Sequence, residues 1–358
     1  MKITTIVGAR PQFIKCSPVS RELRAVGTEV LVHTGQHYDD NMSHVFFRQL
    51  AIPEPDYNLG IGSGSHAEQT GEMLKGIEAV LVRESPDYVL TYGDTNSTLA
   101  GTLAAAKLCV PVAHVEAGLR SFNRRMPEEI NRVLVDRISD VLFAPTETAV
   151  ENLKNEGTVE GVHLVGDVMH DAFRQHLHAA QGISKILDQL ALEPHSYHLA
   201  TVHRADNTDR EENLRGIMSA FLELAAAGKK VVFPIHPRTR KALDGWPAVA
   251  HENLLLIEPV SYLDMLVLEA NSEVILTDSG GVQKEASWAR VPCVTLREET
   301  EWTETVESGW NRLAGAYPRK IVEFASEARC GRPSPPLNQE TSASSAIADV
   351  LIAYCRRD

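Results

Sequence analysis

Several short stretches bring together residue types suited to proton transfer or to holding an anion. The densest is His114-Val115-Glu116-Ala117-Gly118-Leu119-Arg120, followed by Met126-Pro127-Glu128-Glu129-Ile130-Asn131-Arg132. Glu116 closes an apolar run, where an unpaired carboxylate would be costly. Pro127 opens a helix, places Glu128 and Glu129 in its first turn, and sets Arg132 four residues after Glu128 for an i,i+4 ion pair. In Thr91-Tyr92-Gly93-Asp94-Thr95-Asn96-Ser97-Thr98, Asp94 falls at another strand end. On position alone an N-cap role for Asp94 has the edge over a chemical one. Together, Asp94, Glu116 and Glu128 would crowd three carboxylates. Crowded carboxylates raise one another's pKa, as acid–base chemistry near neutrality requires.

The basic and glycine-containing stretches suit an anion. Gly8-Ala9-Arg10-Pro11-Gln12-Phe13-Ile14-Lys15 reads as a strand end, a tight turn and a helix start, with Arg10 and Lys15 adding charge to free backbone N–H groups. It is not the dinucleotide fingerprint, because GxGxxG is absent. Thr201-Val202-His203-Arg204 places His203 at a strand end, and His236-Pro237-Arg238 repeats the placement. In Thr277-Asp278-Ser279-Gly280-Gly281-Val282-Gln283-Lys284-Glu285, two glycines admit a ligand to the backbone of a new helix. Ser279, Gly280 and Gly281 read as a diphosphate cradle, and Glu285, one turn on, as an acceptor for ribose hydroxyls.

Elements must carry these stretches, and the sequence alternates accordingly. Apolar runs at 3–8, 30–34, 88–92, 111–115 and 141–144 read as strands, with helices at 11–26, 66–84, 97–108 and 128–139. The rhythm fades over 170–196 and restarts with strands at 197–202, 231–235, 254–257, 274–277 and 293–296 and helices at 210–227, 262–270 and 281–289. This is an α/β chain of parallel sheets flanked by helices. We expect a first domain over 1–170, a linker over 171–196 and a second domain over 197–335. A turn-rich 331–338 then leads to a terminal helix within 336–358 that packs back on the first domain. Two doubly wound domains facing each other would place a ligand cleft between the C-terminal ends of their sheets.

With 358 residues the chain is too long for one ordinary core. A net charge of −13 argues against a nucleic-acid-binding surface. No apolar stretch is long enough to span a membrane. Five scattered cysteines without CxxC spacing argue against a disulfide framework or zinc site and fit a reducing cytoplasm. No metal is expected.

In this order, GARPQFIK, YGDTNST, HVEAGLRS, MPEEINR, VHRADN, HPRTR and DSGGVQKEA resemble the non-hydrolysing UDP-N-acetylglucosamine 2-epimerase family over nearly the whole chain. The resemblance implies two Rossmann-like domains in the glycosyltransferase-B arrangement with an interdomain cleft, a homodimer, and no cofactor or obligatory metal. It implies inversion at C2 of a UDP-2-acetamido sugar, by anti elimination of UDP to a 2-acetamidoglucal and re-addition. It gives Asp94, Glu116 and Glu128 the acid–base work, and makes His203 a diphosphate or catalytic contact. Ser279, Gly280 and Gly281 then hold the diphosphate, Glu285 the ribose, and Arg10, Lys15 and Arg132 balance the ligand's charge, with His236 beside them.

The resemblance has departures. Gln36-His37-Tyr38-Asp39-Asp40 stands where better-known members carry QHREM, which in some helps form a second, allosteric substrate site. Thr300-Glu301-Trp302-Thr303-Glu304 replaces a TERPE-like segment and removes an arginine. Lys284 and Arg238 replace an acid and an asparagine. These two look like the branch acting on UDP-2,3-diacetamido-2,3-dideoxyglucuronate, whose extra carboxylate they could contact. Rivals are a UDP-sugar glycosyltransferase, a hydrolysing epimerase and a non-catalytic UDP-sugar sensor.

Overall fold

The computed structural model describes residues 1–35, 53–244, 246, 251–300, 302–328 and 342–355, with Arg10 described through its backbone. Residues 36–40 and the turn-rich 331–338 lie outside the described residues. The chain divides into two compact units, Met1–Gln175 with Leu337–Asp358, and His176–Pro336.

The first unit carries β1 (Lys2–Val7), β2 (Thr28–His33), β3 (Tyr57–Asn58), β4 (Tyr88–Tyr92), β5 (Val112–Val115), β6 (Val141–Ala144) and β7 (Val162–Leu164). They form one parallel sheet in the order β3-β2-β1-β4-β5-β6-β7. All five residues of β4 are buried. The strand shows no polar alternation because neither of its faces meets water. The helices are α1 (Arg10–Val26), α2 (His66–Glu84), α3 (Asn96–Lys107), α4 (Pro127–Ile138) and α5 (Glu147–Asn155).

The segment expected as a linker is largely helical: α6 (Val168–Ile183) and α7 (Ile186–Gln189) occupy it. Strand rhythm fades there because α6 is amphipathic, burying Ala172, Phe173, His176 and Ala180 on one face.

The second unit repeats the plan with β8 (Tyr197–Thr201), β9 (Lys230–Pro234), β10 (Leu254–Ile257), β11 (Val274–Thr277), β12 (Cys293–Thr295) and β13 (Asn311–Leu313). Their order is β10-β9-β8-β11-β12-β13, all parallel. Its helices are α8 (Ala205–Thr208), α9 (Glu211–Ala226), α10 (Pro237–Leu243), α11 (Tyr262–Ala270), α12 (Gly280–Ala289), α13 (Thr303–Glu307) and α14 (Pro318–Ser326). The last helix, α15 (Ala343–Cys355), belongs to the first unit and packs on α1.

Each sheet reverses its winding once, between β1 and β4 and again between β8 and β11. Open α/β sheets present ligand-binding groups at such switch points, outside the strands' C-terminal ends. Among the described residues no helix is long and apolar enough to cross a membrane, and Cys16, Cys109 and Cys293 form no disulfide.

Candidate active site

At the first switch point, the turn after β1 is built by Gln12. The Gly8 and Ala9 N–H groups donate to its Oε1 at 2.8 and 3.0 Å, while its Nε2 donates to Tyr92 O at 2.9 Å and Thr98 Oγ1 at 3.0 Å. One buried amide therefore ties the end of β1 to the end of β4. Gly8 is held to glycine by space: a Cβ there would stand 2.1 Å from Thr34 Oγ1 and 2.2 Å from Ser97 Oγ. Arg10 is the first residue of α1.

Asp94 follows β4 but does not cap α3. Thr95 is the N-cap, its side chain accepting from Thr98 N–H. Asp94 instead meets α4: Arg132 donates to its Oδ2 from Nε at 3.0 Å and from Nη2 at 2.6 Å, and Asn131 Nδ2 donates to its backbone carbonyl at 2.8 Å.

The expected Glu128–Arg132 pair is replaced. Arg132 Nη1 donates to Glu129 at 2.9 Å, while Glu128 is exposed in the first turn of α4. Glu129 is buried and also accepts from Ser121 and Phe122 N–H. Burial pushes its pKa up, but those donors outweigh it and hold the carboxyl below its ordinary value.

Glu116 follows β5 with a left-handed φ of 70°, a conformation costing a side-chain-bearing residue roughly 1–2 kcal/mol. Such outliers gather at functional sites. Its carboxylate is 7% exposed and hydrogen-bonded by Lys15 Nζ. Asp94 and Glu116 thus each have their own cation, where the sequence reading set acid against acid. Their shared neighbourhood is Gly93, whose N–H donates to Val115 O at 3.0 Å.

At the second switch point, Asp278 organises the loop after β8. Its buried carboxylate accepts from His203 N–H at 3.1 Å, Arg204 N–H at 3.0 Å and Asn207 Nδ2 at 3.1 Å. His203 Nδ1 lies 3.2 Å from Oδ1, which fixes the ring tautomer and leaves Nε2 for other partners. Burial acts to raise the Asp278 pKa, and His203 with the N–H donors brings it below its ordinary value. Sequence reasoning gave Asp278 no role, although its place after a buried strand was visible. The His203 and His236 rings lie 5.8 Å apart, and His236 Nδ1 accepts from Arg238 N–H at 3.2 Å.

Ser279 caps α12, accepting from Val282 N–H at 3.5 Å, and its own N–H donates to Thr277 Oγ1 at 2.9 Å. Gly280 is the first residue of α12, and Gly281 is exposed, a Cβ there meeting only Ser279 Oγ at 3.8 Å. Tyr262 O–H donates to the buried Glu285 carboxylate at 3.2 Å.

Arg238 is an exposed residue paired with Asp209 at 2.7 Å. Lys284 is buried, its ammonium 3.9 Å from the Trp302 ring centroid and 5.5 Å from that of Trp288. Two departures from the motif pattern are thus one contact: the tryptophan at 302 and the lysine at 284 stack as a cation–π pair.

A family model described as UDP-N-acetylglucosamine 2-epimerase matches residues 21–351. A Methanococcus maripaludis protein named UDP-N-acetylglucosamine 2-epimerase homolog is 58% identical over 332 residues, 91% of this chain and 92% of its own length. The UDP-2,3-diacetamido-2,3-dideoxy-D-glucuronate 2-epimerase of Pseudomonas aeruginosa is 51% identical over 333 residues, 91% of each chain. The Methanocaldococcus jannaschii UDP-GlcNAc 2-epimerase, solved in complex with UDP-GlcNAc and UDP, matches with a TM-score of 0.88 at 45% identity, covering 99% of this chain and 100% of that one.

Proposed function

The chain belongs to the UDP-N-acetylglucosamine 2-epimerase family, and from that premise we propose that it interconverts UDP-N-acetylglucosamine and UDP-N-acetylmannosamine. The observation that carries this reading is the pair of cation-held carboxylates, Asp94 with Arg132 and Glu116 with Lys15, at the ends of neighbouring strands β4 and β5.

One carboxylate removes the proton from C2 as the C1–O bond breaks and its electron pair leaves with the UDP phosphate. The products of this half are a 2-acetamidoglucal and UDP. UDP then adds back to C1, and a carboxylic acid returns a proton to the opposite face of C2. Asp94, Glu116 and Glu128 share this work, because a weakly acidic C–H needs a positioned base and a stabilised leaving group. His203 donates to the diphosphate, Ser279, Gly280 and Gly281 cradle it, and Glu285 accepts from the ribose. Arg10, Lys15, Arg132 and His236 balance the ligand's charge. A homodimer in a reducing cytoplasm completes the reading, with Cys16, Cys109 and Cys293, none of them in a disulfide, in support.

A second reading, epimerisation of UDP-2,3-diacetamido-2,3-dideoxyglucuronate, is favoured by the Pseudomonas relative and by the buried Lys284 charge. The test is proton NMR of the purified protein with each sugar nucleotide in turn. New UDP-N-acetylmannosamine signals support the first reading, and turnover of the uronate alone supports the second. Free N-acetylmannosamine with UDP would mean a hydrolysing enzyme, and binding without turnover a sensor.

A further inference from the structure

Beneath the two carboxylates lies a group that the proposed chemistry does not use. His114, in β5, is fully buried. Its Nδ1 is 2.7 Å from Asp136 Oδ1, and its Nε2 is 2.7 Å from Gly93 O. A carboxylate and a carbonyl both accept, so two hydrogen bonds are made only by a ring with a proton on each nitrogen.

Asp136, on α4, is 2% exposed and is the hub of this arrangement. Its second oxygen accepts from Gly118 N–H at 3.0 Å and from Arg120 Nη1 at 2.7 Å. Arg120 in turn forks onto Glu156 from Nε and Nη2, each at 2.7 Å. Imidazolium, carboxylate, guanidinium and carboxylate thus alternate in sign, which is how a buried charge is compensated. Burial acts to raise the Asp136 pKa, and His114, Arg120 and the Gly118 N–H together hold it below its ordinary value.

A merely structural ion pair could end on any acceptor. This one ends on the carbonyl of the peptide that joins Gly93 to Asp94. Gly93 has a φ of 64°, and its N–H is already fixed to Val115 O. With Asn131 on the Asp94 carbonyl, the peptides that flank Gly93–Asp94 are held on both sides of it. Through Gly118, Asp136 also holds the loop that carries Glu116.

We infer that His114, doubly protonated and fixed by Asp136, is a positioning residue that sets the Gly93–Asp94 peptide relative to the Glu116 loop. The inference rests on the reading that Asp94 and Glu116 act on the substrate. The relay keeps the spacing of the two carboxylates constant while protons move between them and C2.

The test joins a spectroscopic and a kinetic readout on the full chain. Nitrogen-15 correlation spectra of histidine-labelled protein should show a proton on both His114 nitrogens in the folded protein. His114→Gln keeps a donor for one acceptor and cannot bridge both. It should lower kcat by about 10–100-fold, the effect of a small misplacement, with KM and UDP affinity near the parent's. A ring with a single proton in the parent protein overturns the inference, as does a folded His114→Gln with parental kcat. If His114→Gln fails to fold, the parent spectrum still decides, and Arg120→Lys, which keeps the charge but loosens the fork, should show the same loss of kcat on a smaller scale. Turnover by Asp94→Asn would instead defeat the reading beneath, whatever the state of His114.

Discussion

Arg132 reaches back from α4 to hold a single oxygen of Asp94, with Nε at 3.0 Å and Nη2 at 2.6 Å from the same Oδ2. Both donors of the fork converge there, and Oδ1 accepts no hydrogen bond among the described residues. The carboxylate is therefore anchored at one atom and open at the other, as a base that meets a substrate proton must be.

Replacing that open oxygen tests the assignment. Asp94→Asn keeps size and most hydrogen bonding but removes the basic atom, so epimerisation should fall by roughly 10²–10⁴-fold with UDP affinity near normal. Glu128→Gln should act likewise. Steady-state kinetics with calorimetric UDP titration checks both, and parental turnover in either variant removes that residue from the mechanism.

Lys15 and Glu116 form a part-buried pair at 14% and 7% side-chain exposure. Lys15→Met removes this cation from the buried Glu116 carboxylate, on a residue already strained in φ. Denaturant unfolding should show a loss of about 3–5 kcal/mol, and the double variant Lys15→Met/Glu116→Gln should regain much of it. Additive losses would contradict the pairing.

Gly8 and Gly281 predict opposite outcomes for one methyl group. Gly8→Ala puts a Cβ inside contact distance of two hydroxyls and should destabilise the first unit. Gly281→Ala meets only an atom 3.8 Å away and should fold normally, whereas Gly281→Asp should weaken UDP binding by setting a carboxylate against the diphosphate. Thermal melts and UDP titrations of the three variants separate packing from binding.

Asp278 supplies a pH signature. Its pKa is held below the unfolded value of about 3.9, so its contribution to stability is complete above that pH and is lost as pH falls through the folded value. Asp278→Asn should be destabilised by about 1–3 kcal/mol at pH 7 and by less near pH 3. Urea unfolding at the two values checks this, and an equal deficit at both would contradict it.

Much of this was legible in the chain. Largely apolar strands such as Tyr88–Tyr92 announce a parallel sheet by local chemistry alone, and Ser279 with the paired glycines after β11 announces the start of a capped helix. The failures were tertiary choices between locally equal options. Glu128 and Glu129 both lie within a turn of Arg132, and helical geometry does not choose between them; Ser121 and Phe122 engage Glu129 from a neighbouring loop. Position alone favours Asp94 as a cap, but Thr95 caps α3 and Arg132, 38 residues away, engages Asp94. The roles of Asp136 and Asp278 depend on partners up to 75 residues distant, which no spacing rule encodes. The stacking of Lys284 on Trp302 was hidden for the same reason.

The central claim is that the carboxylates beside β4 and β5 move the C2 proton. Its most direct test is proton NMR in deuterated water with UDP-N-acetylglucosamine, for the parent protein, Asp94→Asn and Glu116→Gln. The account predicts UDP-N-acetylmannosamine with deuterium entering at C2 in the parent, and neither product nor exchange in the variants. Epimerisation without deuterium at C2, or parental exchange in both variants, would contradict it.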